Sequence, residues 1–404
     1  MALKFNADKL LAGREISFLN EISVSEENTY RLEEYKEMVR SAIKQEFSAV
    51  KVAIESKNYA TLSMITEIDF SQKSDEKEIT IQVLKTLTPR FWVQGSMSYG
   101  TLNMPAKTPP QQIDIDDGVY LPIKVFQGQP VVAKDSFFNI VDSALRKLCS
   151  QQGWSHDCTK DTCSRINVDD LVHIDIPLYA IPEEKFITLE TAALSEKFDS
   201  AKPPIVLKSD EVYLAVRNEE HWKQSDPKEV KEWFMSEVQT HGQHLKIISR
   251  FLKAWRDHHW DDGPISSIAL MACAVDTFKQ DAPFDNLSEA LLKVVGNLHS
   301  QLDEVILPVN GEPLYPKPRN TEKDKLKLKD DALNLSFCIS SALQNAHNEQ
   351  DAVNKLIQAF GNRVPNIPGL ISINSNVAAD QVRAEEALKL NHPSKDMEKN
   401  LVSG

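Results

Sequence analysis

The chain has 404 residues, a net charge of -13, 41% hydrophobic and 26% charged side chains. That length and balance exclude a disordered or fibrous chain and allow two packed domains, and no apolar run reaches bilayer-spanning length. The acidic total and the lack of a Lys/Arg block argue against long duplex nucleic acid as a ligand, although a pocket for one or two nucleotides needs only local cations.

The N-terminal stretch, "MALKFNADKLLAGREISF", is charged and lacks the apolar core of a signal peptide. The five cysteines (Cys149, Cys158, Cys163, Cys273, Cys338) are odd in number and sparse, which fits a reducing cytoplasm. A charged helical pattern runs from Glu26 to about Lys57, and a second from Glu76 to Thr88 is halted by Pro89. "RFWVQG" reads as a short strand ending at Gly95, with Ser96 as the N-cap of a following turn of helix. "PAKTPPQQ" is a loop, and "IDIDDGVYLPI" (Ile113 to Ile123) alternates with period two, as a strand does. Asp135 to Gln152 forms an amphipathic helix, and Ser164 to Ile181 holds two strands, the second beginning near Leu171.

Beyond Arg217 the pattern becomes helical. Asp226 to Trp260 reads as one long helical stretch with Asp226 as N-cap and Pro227 at the first helical position, ended by Gly263-Pro264. Ile265 to Phe278 is apolar enough for a buried helix, and helical patterns return over Asp285 to Leu302 and Asp324 to Phe360. From about Ser372 the chain turns polar and ends in a solvated tail. The expected fold class is α/β plus α: a mixed sheet core followed by a helical lobe, with the active site in the cleft between them.

Asp114 and Asp116 stand two apart on a strand, so their side chains leave the same face, and Asp117 points the other way. A D-x-D pair alone is weak evidence, since exposed strands carry such pairs. Here the flanking Ile113, Ile115, Val119 and Leu121 mark a packed strand, and a third acid, Asp175, lies in "VHIDIPLY" on the same face as His173. Three carboxylates on adjacent strands suit hard divalent cations, which complete their shells with water and phosphate oxygens. A Gly95-Ser96 helix start offers backbone N–H groups and a hydroxyl to phosphates. Lys253 lies within a turn of Arg250 and Arg256, which read as a solvated helix face, whereas Trp92, Trp255 and Trp260 read as core. "HDCTKDTC" lacks a fourth zinc ligand at suitable spacing and reads as a turn with free thiols. "DHHWDD" reads as a polar loop.

The order of a Gly-Ser helix start, a D-x-D strand about twenty residues on and a third Asp resembles the polymerase-β-type nucleotidyltransferases. More narrowly, "TPRFWVQGSMSYGTLN", "DIDDGVYLPI", "HIDIPLYAIP", "WKQSDPKEVKEWF", "FLKAWRDHHWDDGPISSIALMA" and "AFGNRVPN" resemble the bacterial cGAS/DncV-like nucleotidyltransferases and, within them, the cyclic GMP-AMP synthases. The resemblance implies a catalytic lobe with N-terminal helices over residues 1–220, a helical lobe over 221–375 and a flexible tail over 376–404. It implies that Asp114, Asp116 and Asp175 hold two Mg2+ ions (Mn2+ being possible), with Asp175 also taking the proton of the attacking ribose hydroxyl. By the same resemblance Gln94, Gly95 and Ser96 bind phosphate, Arg165 packs on a nucleotide, and Ser225, Lys253, Ser267 and Asn310 contact the triphosphate or a base.

The implied activity is synthesis of 3′,3′-cyclic GMP-AMP from ATP and GTP with release of pyrophosphate, in bacterial anti-phage signalling. The implied partners are an effector activated by the product and an E1/E2-like ligase that conjugates the enzyme through Gly404. Two alternatives are a nucleotidyltransferase acting on RNA ends or a small molecule, and an inactive nucleotide-sensing scaffold. The acidic balance argues against the first and the intact acidic trio against the second.

Overall fold

Ser25 opens the first long helix, Glu26–Glu55: its hydroxyl accepts from the Asn28 N–H, and Glu26 and Glu27 occupy the turn where the helix dipole favours negative charge. Leu32, Val39, Ile43, Phe47 and Val50 recur at helical spacing and are all buried. They join Ile113, Ile115, Val119 and Leu121 of the central strand and Phe137, Phe138 and Ile140 of the helix Lys134–Gln152 in one core cluster. In this computed structural model, residues 3–374 are described apart from 72–73, 124, 127–128, 131–133, 183–210, 220, 226, 307–312 and 318–319. The expected N-cap Asp226, the base-contacting Asn310 and the tail with Gly404 therefore lie outside the described residues.

The described strands are β1 (Phe5–Asn6), β2 (Arg90–Val93), β3 (Ile113–Ile123), β4 (Val125–Phe126), β5 (Gln129–Pro130) and β6 (Ser155–Asp157). They continue with β7 (Ser164–Asn167), β8 (Val172–Ile176), β9 (Leu178–Pro182), β10 (Tyr213–Leu214), β11 (Lys223–Gln224) and β12 (Ser372–Ile373). The main sheet runs β11-β10-β9-β3-β8-β7-β6, with β2 also antiparallel to β3. β3 pairs in parallel with both β8 and β9, at one constant register: Ile113 with Val172 and Val119 with Leu178. The single strand expected from Leu171 is thus one line of chain interrupted at Pro177. Proline has no N–H to give the ladder, though its carbonyl still accepts from Val119 at 2.8 Å.

Two compact units are present, one formed by Ile22–Gly263 and the other by the N-terminal stretch up to Glu21 with, in the main, the chain from Pro264 onward. The first contains the main sheet and also the helices Pro227–His241 and Gln243–His259. These two replace the one long helix expected over Asp226–Trp260. They part at Gly242, whose φ of +87° lies in the left-handed region that glycine enters without steric cost. In the second unit β1 pairs with β12, and Asp8 accepts from the backbone N–H groups of Leu287 and Ser288 at the start of helix Leu287–Gln301. The pattern over Asp324–Phe360 resolves into helices Glu322–Ser340 and Glu349–Phe360, joined through a π-turn at Ser341–Asn345. No helix among the described residues is long and apolar enough to cross a membrane.

Asp117 shares the core face of β3 with Ile113 and Ile115, as the alternation requires, and is 1% exposed. Arg40 reaches it from the first long helix with two bonds, Nε to Oδ2 and Nη2 to Oδ1, each 2.7 Å. This is the compensation that the crowded acidic triplet needs, and it takes Asp117 out of the site chemistry. Arg40→Ala leaves a buried carboxylate unpaired and should cost about 3–5 kcal/mol in urea melts. Arg40→Leu combined with Asp117→Asn should recover most of that loss. An Arg40→Ala variant as stable as the parent would show that water solvates Asp117.

Candidate active site

Strand register assembles the site. β3 and β8 place Asp114 beside His173 and Asp116 beside Asp175, and antiparallel β7 places Arg165 beside Asp175. One row across three strands therefore reads Asp116, Asp175, Arg165, and the neighbouring row holds Asp114 and His173. All five side chains leave the sheet on the face opposite Ile115 and Ile174, because strand side chains alternate. Asp114 remains half exposed, with 47% of its side chain accessible, whereas Asp116 is partly buried and Asp175 is buried.

The three carboxylates are not equivalent. Burial would raise the Asp175 pKa, but two bonds from Arg165, at 2.5 and 2.8 Å, and one from Lys160 at 2.8 Å outweigh it and hold the group below the usual carboxylate range. Asp116 has no such bond among the described residues. Burial first, then repulsion from Asp114 and Asp175, push it up to about 7. A carboxyl group forced to keep its proton near neutrality marks a place short of positive charge, and a divalent cation would supply it. The donor set fits such an ion: oxygens of Asp114 and Asp175 and a ring nitrogen of His173 lie within 4.8 Å of one another. The trio expected from the sequence was Asp114, Asp116 and Asp175; the structure groups His173 with two of them and sets Asp116 alongside.

Asp116 also gives a stability signature. Its pKa rises from 3.8 unfolded to about 7 folded, so the folded protein binds the proton more tightly. That contribution is complete below pH 3.8 and is lost as pH rises to about 7. In metal-free protein Asp116→Asn should therefore raise the melting temperature little at pH 4 and increasingly up to pH 7, where the gain approaches about 4 kcal/mol. A constant difference between the two proteins across that range would show that Asp116 ionises freely.

The Gly95 corner abuts this acid. Gln94 N–H donates to the Asp116 carbonyl at 2.8 Å, and Gly95 has φ +58°, with the space a Cβ would need already filled by the Asp116 carboxylate. The turn of helix spans Gly95–Ser98 with Gln94 at the cap position, so Ser96 lies inside the turn rather than capping it. The Gln94 side chain is engaged by two tyrosines, donating to Tyr120 Oη at 2.8 Å and accepting from Tyr179 Oη at 3.2 Å. Ser96 C=O accepts from Thr101 N–H, and Thr101 C=O accepts from Lys253 Nζ at 2.7 Å. Burial, and then Arg256, lower the Lys253 pKa to about 7. Lys253 thus supports the loop that follows the Gly95 turn.

Arg250 is not on a solvated face as expected. It bonds Asn103 Oδ1 and Ser23 Oγ, both at 2.9 Å, and burial lowers its pKa to about 10. Arg256 pairs with Asp257 at 2.7 Å and is also largely covered. Arg250 thus holds the Ser23 and Asn103 segments in place, which a helical-wheel reading cannot see. Ser225 follows β11, its N–H donating to Val212 C=O, and Ser267 begins the helix Ser267–Asp281 in the other unit. Trp255 is fully buried. Lys160, within "HDCTKDTC", was missed because a turn lysine carries no spacing signal. His173 had a signal, its shared face with Asp175. A second group, Asp142, His156 and Cys158, also clusters. There Asp142 is already taken by Arg217, Ser164 and His156, so its charge is compensated without an ion.

Two family models match the chain: the nucleotidyltransferase domain of DncV-like cyclic GMP-AMP synthases over residues 89–179, and the C-terminal domain of cyclic GMP-AMP synthases over residues 242–373. A cyclic GMP-AMP synthase of Escherichia coli (strain TW11681) is 30% identical over 96% of each chain. The chain belongs to the DncV-like cyclic GMP-AMP synthase family. Its fold matches that of the Vibrio cholerae DncV cyclic AMP-GMP synthase, solved with the linear intermediate 5′ pppA(3′,5′)pG, at a TM-score of 0.81 and 28% identity over 93% of this chain and 100% of that one. A variant of the same Vibrio cholerae enzyme, solved with ATP and GTP, matches at a TM-score of 0.81 and 28% identity over 92% of this chain and 100% of that one. The DncV-like family assignment makes the chain a nucleotidyltransferase with a mixed-sheet core and a helical lobe, and Asp114, His173 and Asp175 form a group able to hold a metal ion.

Proposed function

We propose that this chain joins ATP and GTP into 3′,3′-cyclic GMP-AMP in two successive nucleotidyl transfers, each releasing pyrophosphate. The observation that carries the reading is the Asp116–Asp175 register pair set against the Gly95 corner, in a chain matched by both synthase family models. Asp114, Asp116 and Asp175 would hold two divalent ions, Mg2+ or Mn2+. Such ions, when bound, offset charge on the phosphate under attack and on the departing pyrophosphate. The Gly95-Ser96 backbone and the Ser96 hydroxyl orient the triphosphate, and only a residue without Cβ lets phosphate and Asp116 crowd the same corner.

Asp175, kept ionised by Arg165 and Lys160, is ready to accept the proton of the ribose hydroxyl. Arg165 is placed to exchange part of that pairing for a nucleotide. Ser225, Ser267 and Asn310 are assigned to triphosphate and base contacts, and Lys253 to the same end through the Thr101 carbonyl that it holds. The wider reading, an anti-phage signal with a product-activated effector and a ligase acting at Gly404, rests on the family resemblance. Purified protein incubated with labelled ATP, GTP, CTP and UTP plus Mg2+ tests the activity. A phosphatase-resistant product with the mass of cyclic GMP-AMP supports it. Label transferred to added RNA, or nucleotide bound but unreacted, overturns it.

A further inference from the structure

Two cations hold Asp175, and they are not anchored alike. Arg165 stands on β7, where the ladder fixes its backbone, and the proposed reaction turns part of its pairing toward a nucleotide. Lys160 must then keep the carboxylate in place, donating from Nζ at 2.8 Å. Yet Lys160 lies in the turn between β6 and β7 and 40% of its side chain is exposed. A long side chain on a turn has much rotamer freedom to lose, so the turn itself has to be held.

The hold comes from chain much later in the sequence. Arg217 N–H donates to the Asp161 carbonyl at 2.6 Å, and Asn218 Nδ2 donates to Asp161 Oδ1 at 3.0 Å across 57 residues. The neighbour of Lys160 is thus gripped at two points. Asn218 has a φ of +61°, in the left-handed region that Asn tolerates better than most residues with a side chain. Arg217 is fixed in turn. Its Nη2 donates to the Asp142 carboxylate at 2.9 and 3.0 Å and to Ser164 Oγ at 2.8 Å, and its guanidinium carbon lies 3.9 Å from the centre of the Phe138 ring. Phe138 belongs to the core cluster, so a continuous line runs from the core through Arg217, Asn218 and Asp161 to Lys160 and Asp175. From this we infer that Asn218 is a positioning residue: through Asp161 it keeps Lys160 on Asp175 while that carboxylate accepts the ribose proton. The inference rests on the nucleotidyl transfer proposed above.

The Asn218–Asp161 bond is exposed, so it adds little to global stability, and a loss of turnover without a loss of melting temperature is its signature. Asn218→Gly keeps the left-handed backbone and removes the amide. In the full chain with ATP, GTP and Mg2+ it should lower kcat about tenfold, as loss of an outer-shell partner does, with parental KM and melting temperature. Asp161→Ala should give the same fall and the double variant no further one, because both delete one bond. Asp161→Asn keeps an acceptor oxygen and should retain parental kcat. In a Lys160→Met background Asn218→Gly should change nothing. Independently of turnover, hydrogen exchange at amides 158–163 should quicken in Asn218→Gly. Parental kcat in Asn218→Gly, losses that add in the double variant, or unchanged exchange overturns the inference and leaves the role of Asp175 standing. A parent protein that makes no dinucleotide overturns the functional reading, and the inference falls with it.

Discussion

Asp114→Ala together with Asp116→Ala should abolish dinucleotide synthesis, a fall of at least about a thousandfold, while the metal-free protein melts at the same or a higher temperature. The two halves of that result have one cause. Asp116 is largely desolvated beside Asp114 and Asp175 with too little positive charge nearby, so its carboxyl is pushed up to about 7. Removing two of three mutually repelling acids relieves the apoprotein. The same removal leaves developing charge on the reacting phosphate without its counter-charge, and loss of preorganised electrostatic stabilisation costs about two to three orders of magnitude for even one donor. Asp117→Ala makes the control. It lies three residues from Asp114 but belongs to the core, paired with Arg40, so it should cost stability far more than turnover per folded molecule. A double variant with parental turnover would end the account of this acidic row as the reaction centre.

Gly95 should tolerate no side chain. At φ +58° an L-residue costs about 1–2 kcal/mol on backbone grounds alone. A Cβ at that position would collide with the Asp116 carboxylate, so the acid must turn away from the row it shares with Asp175. Displacement of a reacting group by about 1 Å is worth about a hundredfold in rate. Gly95→Ala is therefore expected to lower kcat by about that factor, and Gly95→Val to lose triphosphate binding as well. Ser96→Ala should be milder, losing one charge-assisted hydrogen bond of about 1.5–3 kcal/mol. Nucleotide titrations and steady-state rates separate the three variants. Parental binding and turnover in Gly95→Val would place the phosphates away from this corner.

Much of this was legible in the chain before any coordinates. Period-two alternation set Asp114 and Asp116 on one face and Asp117 on the other, because the strand repeat leaves no choice. Helices at 26–55, 134–152 and 267–281 announced themselves through helical periodicity, amphipathic over Asp135 to Gln152 and apolar throughout over Ile265 to Phe278. The family could be named from short blocks, since the order Gly-Ser, D-x-D, Asp is preserved along the chain even though the three sit on different elements. Breaks were less legible. Gly242 divides a helix through one left-handed residue, and Pro177 interrupts a strand without shifting its register, both effects of a single backbone position inside a strong pattern.

Only the tertiary structure decided which charges meet. Arg40 lies 77 residues from Asp117, and Lys160 and Arg165 converge on Asp175 from a turn and a neighbouring strand. Arg250 read as part of a solvated helix face and is largely covered instead, holding Asn103, while Lys253 on the same helix holds the carbonyl of Thr101. His173 shared a face with Asp175 by sequence, but its partners are Asp114 on the adjacent strand and Gln112, an amide 61 residues away held by the carbonyl of Asp169. Local periodicity determines which way a side chain points, and it acts over a few residues. The partner it finds is set by strand register and helix packing across the whole domain, and so are its protonation state and its chemistry.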